Sequence, residues 1–152
     1  MNRSKRMACG VILLAALLPA ASAQYQGWRH SGSLYILTTA EGANLPATAS
    51  EEGFPLVVRL NKDWFDFSQA KANGEDIRFA TGTGEPLACQ TDEWDPNAGT
   101  AAIWLRIPTI KGQAHQEIKM FWDKPDAASE SSGAAVFNAS NEVALSPAKP
   151  TN

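Results

Sequence analysis

In the run TAAIWLRIP, residues 100–108, Ile103, Leu105 and Ile107 alternate with Trp104 and Arg106. That period of two belongs to a β-strand with one face turned to a core. The pattern recurs along most of the chain, in pieces too short for helices and separated by turns rich in Gly, Pro and Asn. LYILTT (34–39) is aromatic and β-branched and ends at the turn-like EGANLPA. FPLVVRL (54–60) is the strongest apolar run, with Pro55 near its start, where a strand tolerates proline. In DIRF (76–79), Ile77 and Phe79 share one face while Asp76 and Arg78 share the other. TGTGEP (81–86) reads as a turn and 87–94 as the returning strand, so 76–94 is expected to form a hairpin. EIKMFW (117–122) supplies a last strand with Ile118 and Met120 on one side. Helical signal is confined to FSQAKANG (67–74), about two turns with a Ser cap and a terminal glycine. Some six short strands predict an all-β fold, an antiparallel β-sandwich with at most one short helix.

The ends of the chain have a different character. Arg3, Lys5 and Arg6 precede an apolar run from Ala8 to Leu18, and Ala21-Ser22-Ala23 follow it. This is the layout of a secretory signal peptide, expected over residues 1–23. The run is 11 residues long, against roughly 20 for a membrane span. Cys9 lies at its start, badly placed for a lipid-modified cysteine. Cleavage leaves ten basic against sixteen acidic residues, a poor match for nucleic acid or an anionic membrane surface. It also leaves Cys89 alone, so an intramolecular disulfide cannot form and stability must come from a packed core. The remaining 129 residues suffice for one such core, and no further apolar run is long enough to span a membrane. The β domain is expected over 24–137. From Asp126 onward Ala, Ser, Asn and Pro dominate, and residues 138–152 are expected to be a disordered tail. The predicted location is periplasmic or secreted.

Few residues suggest chemistry. His30 and His115 are far apart and lack ligand spacing with Cys89, which excludes an ordinary zinc pattern. Asp92, Glu93, Asp95 and Asn97 supply oxygen ligands of the kind calcium takes, without EF-hand spacing; solvated turn residues are the simpler reading. Glu93 and Asp95 also have the residue types of a glycosidase pair. There is no nucleophile elbow, and GTGEP opens no helix that could bind phosphate. No cofactor and no catalytic activity are expected. All five tryptophans, Trp28, Trp64, Trp94, Trp104 and Trp122, lie beyond the signal peptide. Aromatic faces stack on sugar rings, so Trp28, Trp64 and Trp122 are candidate glycan contacts, with Glu93 and Asp95 as candidate polar ones. Trp104, opposite the apolar set of its strand, is expected to be exposed or covered by a neighbouring domain.

FPLVVRL, FDFSQAKANGEDIRFATGTGEPLACQTDEWD, GTAAIWLRIPTIKGQAHQEIKMFWDKPDAA and AVFNASN together resemble, in order, the landmarks of the DUF2341 family of exported bacterial proteins. The similarity runs from about Trp28 to Asn141. The chain departs from the family pattern at Ala88-Cys89-Gln90-Thr91, at Phe121-Trp122-Asp123-Lys124 and after Asn141, where EVALSPAKPTN suggests a truncated continuation. The resemblance implies an all-β domain without assigned catalytic residues. It is most similar to the exported N-terminal module of MotA/TolQ/ExbB-type proton channel proteins. Together the residues and the resemblance predict a non-catalytic binding or docking module for glycan or envelope proteins. The alternatives are a periplasmic component of an ExbB-like transport system and a glycoside hydrolase.

Overall fold

The structure, a computed structural model, describes residues 24–137. The predicted signal peptide (1–23), with Cys9, and the predicted tail (138–152) lie outside the described residues. Six strands occur: β1 (His30–Leu37), β2 (Ser50–Asn61), β3 (Arg78–Thr81), β4 (Cys89–Asp95), β5 (Thr100–Lys111) and β6 (His115–Trp122). They form two three-stranded antiparallel sheets, ordered β1-β6-β3 and β2-β5-β4. The fold is an all-β antiparallel sandwich. A 3-10 turn (Phe67–Gln69) and a four-residue helix α1 (Gly133–Val136) are its helical pieces among the described residues.

The core lies where the alternation predicts. Ile103, Leu105 and Ile107 of β5 face Phe79 of β3 and Ile118 and Met120 of β6, all at most 4 % exposed. Phe65, Phe67, Ile77 and Leu87 join the cluster from between the strands, with Leu60 of β2, Cys89 of β4 and Ala101 and Ile110 of β5. The 3-10 turn is shorter than the two turns expected, because Asp66 rather than Ser68 caps it: the Asp66 carboxylate accepts from the Ser68 backbone N–H, and the chain turns extended again at Ala70.

The hairpin expected over 76–94 does not form. β3 pairs with β6 and β4 with β5, so TGTGEP carries the chain from one sheet to the other. Pairing across it is confined to an Ala80–Pro86 bridge with the Thr81 N–H to Glu85 carbonyl and Leu87 N–H to Phe79 carbonyl bonds on either side. Pro86 has no N–H with which to extend a ladder, and Leu87 and Cys89 then bury against the opposite sheet.

Nor do Asp76 and Arg78 sit on a wet face: they are 1 % and 4 % exposed. The segment before β1 covers them. Tyr25 stacks on Phe121 at 4.5 Å, and the Trp28 ring lies over the Arg78 guanidinium at 5.5 Å. At the other end, the change in composition at Asp126 does not mark the end of the fold. Residues 126–137 form a strap over the second sheet. Ser132 donates its N–H to the Cys89 carbonyl, Val136 is fully buried, and Phe137 packs edge-on against Trp104 at 5.4 Å.

Candidate functional site

Two regions gather the residues that the sequence singles out, and they differ in kind. The first is a buried knot around the GEDIRF stretch. Asp76 accepts three backbone N–H groups, from Lys71 (2.9 Å), Asp123 (2.9 Å) and Lys124 (3.1 Å), and its own carbonyl accepts the Trp28 indole N–H at 2.7 Å. One carboxylate thus ties the loop before β3 to the turn after β6, where Asp123 has φ 65°. Arg78 donates to the carbonyls of Glu75, Ile77 and Ala128, and its Nε lies 3.1 Å from Glu130 as an ion pair outside aligned hydrogen-bond geometry. It therefore pins the start of the strap. Gly74, at φ +68°, sits where a Cβ would meet the Trp94 ring at 2.6 Å. The glycine of GEDIRF and the tryptophan of EWD are therefore packing partners, with Trp94 edge-on to Phe67 at 5.1 Å and its Nε1 buried without a hydrogen-bond partner among the described residues.

The second region is the segment 61–68, which runs from the last residue of β2 into the 3-10 turn. Asn61 and Asp66 shape it. Asn61 accepts from the Asp63 N–H with its side chain and from Trp64 and Phe65 with its carbonyl. Asp66 accepts the N–H and hydroxyl of Ser68, bonds that hold its carboxyl below the ordinary carboxylate range. Phe65 and Phe67 anchor the loop in the core, which leaves Trp64 52 % exposed at its apex. Three clefts meet at this indole. A shallow one of about 550 Å³ is lined by Lys62, Asp63, Asp66, Ser68 and Pro96. One of about 190 Å³ runs between Leu34, Met120 and Trp122. One of about 320 Å³ opens along the seam between β1 and β2, with Leu34, Ile36, Leu56 and Val58 as walls. A separate cleft of about 410 Å³ opens between the sheets at the end of the sandwich, with Ile36, Leu87, Ile107 and Ile118 lining it.

The other candidates are placed differently. Trp28 is half-buried in the knot. Trp122 is half-buried between His30, stacked at 5.6 Å, and Phe65, and its indole donates to Gln69. Trp28, Trp64 and Trp122 therefore do not make one exposed row. Glu93 is exposed and accepts the Thr100 hydroxyl. Asp95 accepts the N–H groups of Asn97 and Ala98, closing the β4–β5 turn. Neither lines any of the four clefts, and neither is near Trp64's shelf except through Pro96. No group of three His, Cys, Asp or Glu side chains among the described residues is arranged to hold a metal. Cys89 is buried, and burial pushes its thiol pKa up, away from the reactive thiolate. Lys62, Asp63 and Asp66 were not singled out from the sequence. The signal for them was NKDWFDFS, three side chains of the turn-forming Asn/Asp type, Asn61, Asp63 and Asp66, around a tryptophan.

The fold and its sites define a small antiparallel β-sandwich module with an internally tied signature stretch and one tryptophan held out on an internally hydrogen-bonded loop. The chain belongs to the family described as Domain of unknown function (DUF2341), whose profile matches residues 73–148. The match takes in β3 to β6 and the strap; β1, β2 and Trp64 lie before it. No curated protein and no solved structure matches the chain. Among the described residues no helix is long and apolar enough to cross a membrane.

Proposed function

We propose that this domain is a non-catalytic recognition module of an exported protein, binding glycan across the exposed face of Trp64. The observation that carries the reading is the preorganised loop. A large indole is held half in solvent by bonds already made within 61–68, beside the carboxylates of Asp63 and Asp66, the Lys62 ammonium and the Ser68 hydroxyl. A sugar ring offers that surface an apolar face for stacking and hydroxyls for the polar shelf. Rigidity in the free state lowers the ordering cost of binding.

The test is a glycan-array screen of the purified chain, with tryptophan emission followed for each hit. The reading expects a hit that shifts emission and is lost in Trp64→Ala while Trp104→Ala retains it. Silence across the array from a folded chain rejects it. Exposed Tyr35, Leu37 and Phe54 favour a second reading, docking to envelope proteins, for which the role in an ExbB-like transport system is the specific form suggested by the sequence resemblance. A glycoside hydrolase built on Glu93 and Asp95 is a third; turnover of a chromogenic glycoside abolished by Glu93→Gln would replace the recognition reading with it.

A further inference from the structure

The cleft of about 190 Å³ beside Trp64 has walls of one chemical kind. Leu34, Met120 and Trp122 of the first sheet form one side, and Trp64 and Phe65 the other. The Ser33 hydroxyl and the Trp122 indole N–H, which could have given it polar character, donate elsewhere, to Glu117 and Gln69. A sugar hydroxyl entering among these walls gives up water for little, whereas a hydrocarbon group gains from its burial there.

Gly32 keeps this cleft open. It lies inside β1 opposite Met120 and has no positive φ, and a Cβ there would meet nothing closer than the Trp122 ring at 3.5 Å, an ordinary contact. Neither the backbone nor a close neighbour demands glycine, so what a larger side chain would take is the space of the cleft that Gly32 lines. A glycine inside a strand weakens it, and often marks the place where a ligand comes close. The next residue supplies polarity. Gly82 donates to the Glu117 carbonyl, so Glu117 faces β3 and its β1 partner Tyr35 faces the open side. Alternation then turns the backbone N–H and carbonyl of Ser33 outward as well, at the rim of the same cleft.

We propose that this cleft takes the acetamido group of a sugar whose ring stacks on Trp64, so that the module selects N-acetylhexosamine glycans over those that carry hydroxyl groups alone. The inference rests on the reading of Trp64 as a glycan contact and names the sugar class. Trp64 walls both this cleft and the polar shelf, so one ligand can meet the two together. An acetamido group has three parts, and the cleft answers each. Its methyl lies among Leu34, Met120 and Trp122, its N–H reaches the Ser33 carbonyl, and its carbonyl accepts the Ser33 N–H. A hydroxyl at the same position of the sugar leaves the apolar walls unfilled.

Triacetylchitotriose and cellotriose share one β-linked backbone and differ in the acetamido group, so titrating the purified chain with each, followed by tryptophan emission, tests this. The wild type binds triacetylchitotriose at least about tenfold more tightly, the scale of one buried methyl group and a hydrogen-bonded amide. Gly32→Val fills the cleft: affinity for triacetylchitotriose falls to that for cellotriose, and cellotriose binding stays as it was. Gly32→Ala, which adds one methyl at ordinary contact distance, moves the preference the same way and serves as the readout if the valine variant does not fold. Equal affinity for the two trisaccharides, or a preference that survives both substitutions, overturns the inference and leaves the Trp64 reading standing. Binding of neither by the folded chain overturns it too, and the glycan array then decides the Trp64 reading separately.

Discussion

On the flank made by β3 and β4, backbone groups that point away from the sheets are met by the crossing turn and the strap, and the side chains beneath are a carboxylate and a guanidinium with their bonds made inside the protein. On the flank made by β1 and β2, the seam is apolar, two strands end without a covering segment among the described residues, and Trp64, Tyr35, Leu37 and Phe54 reach solvent. The family profile matches the first flank and not the second. A stretch such as GEDIRF, dense in charge and glycine, is easily taken for a ligand loop. In this protein its charges close the fold, and the exposed aromatic side chains Trp64, Tyr35 and Phe54 lie on the flank that the profile does not match.

If that division is real, substitutions on the two flanks should separate stability from binding. The largest loss is expected for Asp76→Ala. Three backbone N–H groups would lose their acceptor in a buried place, so unfolding free energy should fall by about 3–4 kcal/mol in urea titrations. A loss under about 1 kcal/mol would show that the knot is not what holds the flank shut. Arg78→Ala comes next, at about 2–3 kcal/mol, because it strands the Ala128, Glu75 and Ile77 carbonyls together. It carries a local signature as well: the strap at 126–137 should become the first site of limited proteolysis, ahead of global unfolding. Cleavage appearing first in the loop 61–68 would contradict the strap's dependence on Arg78.

Gly74→Ala is expected to cost about 2 kcal/mol, since φ is +68° and the added methyl would press on Trp94. A second change in the same variant sharpens the comparison. Cys89 is the buried first residue of β4 with its thiol pKa raised, so it should label slowly with a maleimide in the native wild type and faster once the displaced Trp94 disturbs that same strand.

The longer strands were legible because their inward faces carry apolar residues at alternate positions, as in Ile103, Leu105 and Ile107 of β5 and Ile118 and Met120 of β6. Their partners were not. TGTGEP reads the same whether the chain returns beside itself or crosses to the other sheet, and the difference lies in Pro86 and in which surface can bury Leu87. Alternation in DIRF separates faces without saying that Tyr25 and Trp28 will cover the polar one. The strap is made of Ala, Ser and Glu, residues typical of tails, and it is held mainly through backbone groups that composition does not report. At the candidate site, Trp64 was visible as one tryptophan of five. What distinguishes it is the loop on either side, whose Asn61 and Asp66 turns hold it out instead of letting it fold into the core beside Phe65.

The smallest effect on stability should come from Trp64→Ala, and it decides whether the open flank is a recognition surface. An indole that is 52 % exposed contributes little to the core, and its loop keeps its shape through Asn61, Asp66, Phe65 and Phe67. Truncation should therefore change the unfolding free energy by no more than about 0.5 kcal/mol. The same truncation should remove most of the affinity for any glycan found on the array, since a central exposed aromatic carries a large share of binding energy when it stacks. A loss of 2 kcal/mol or more in unfolding experiments would mean that Trp64 roofs the seam between β1 and β2 as a structural element (a cost of about that size is what burial of a large side chain represents). In that case the two flanks would differ in chemistry but not in purpose.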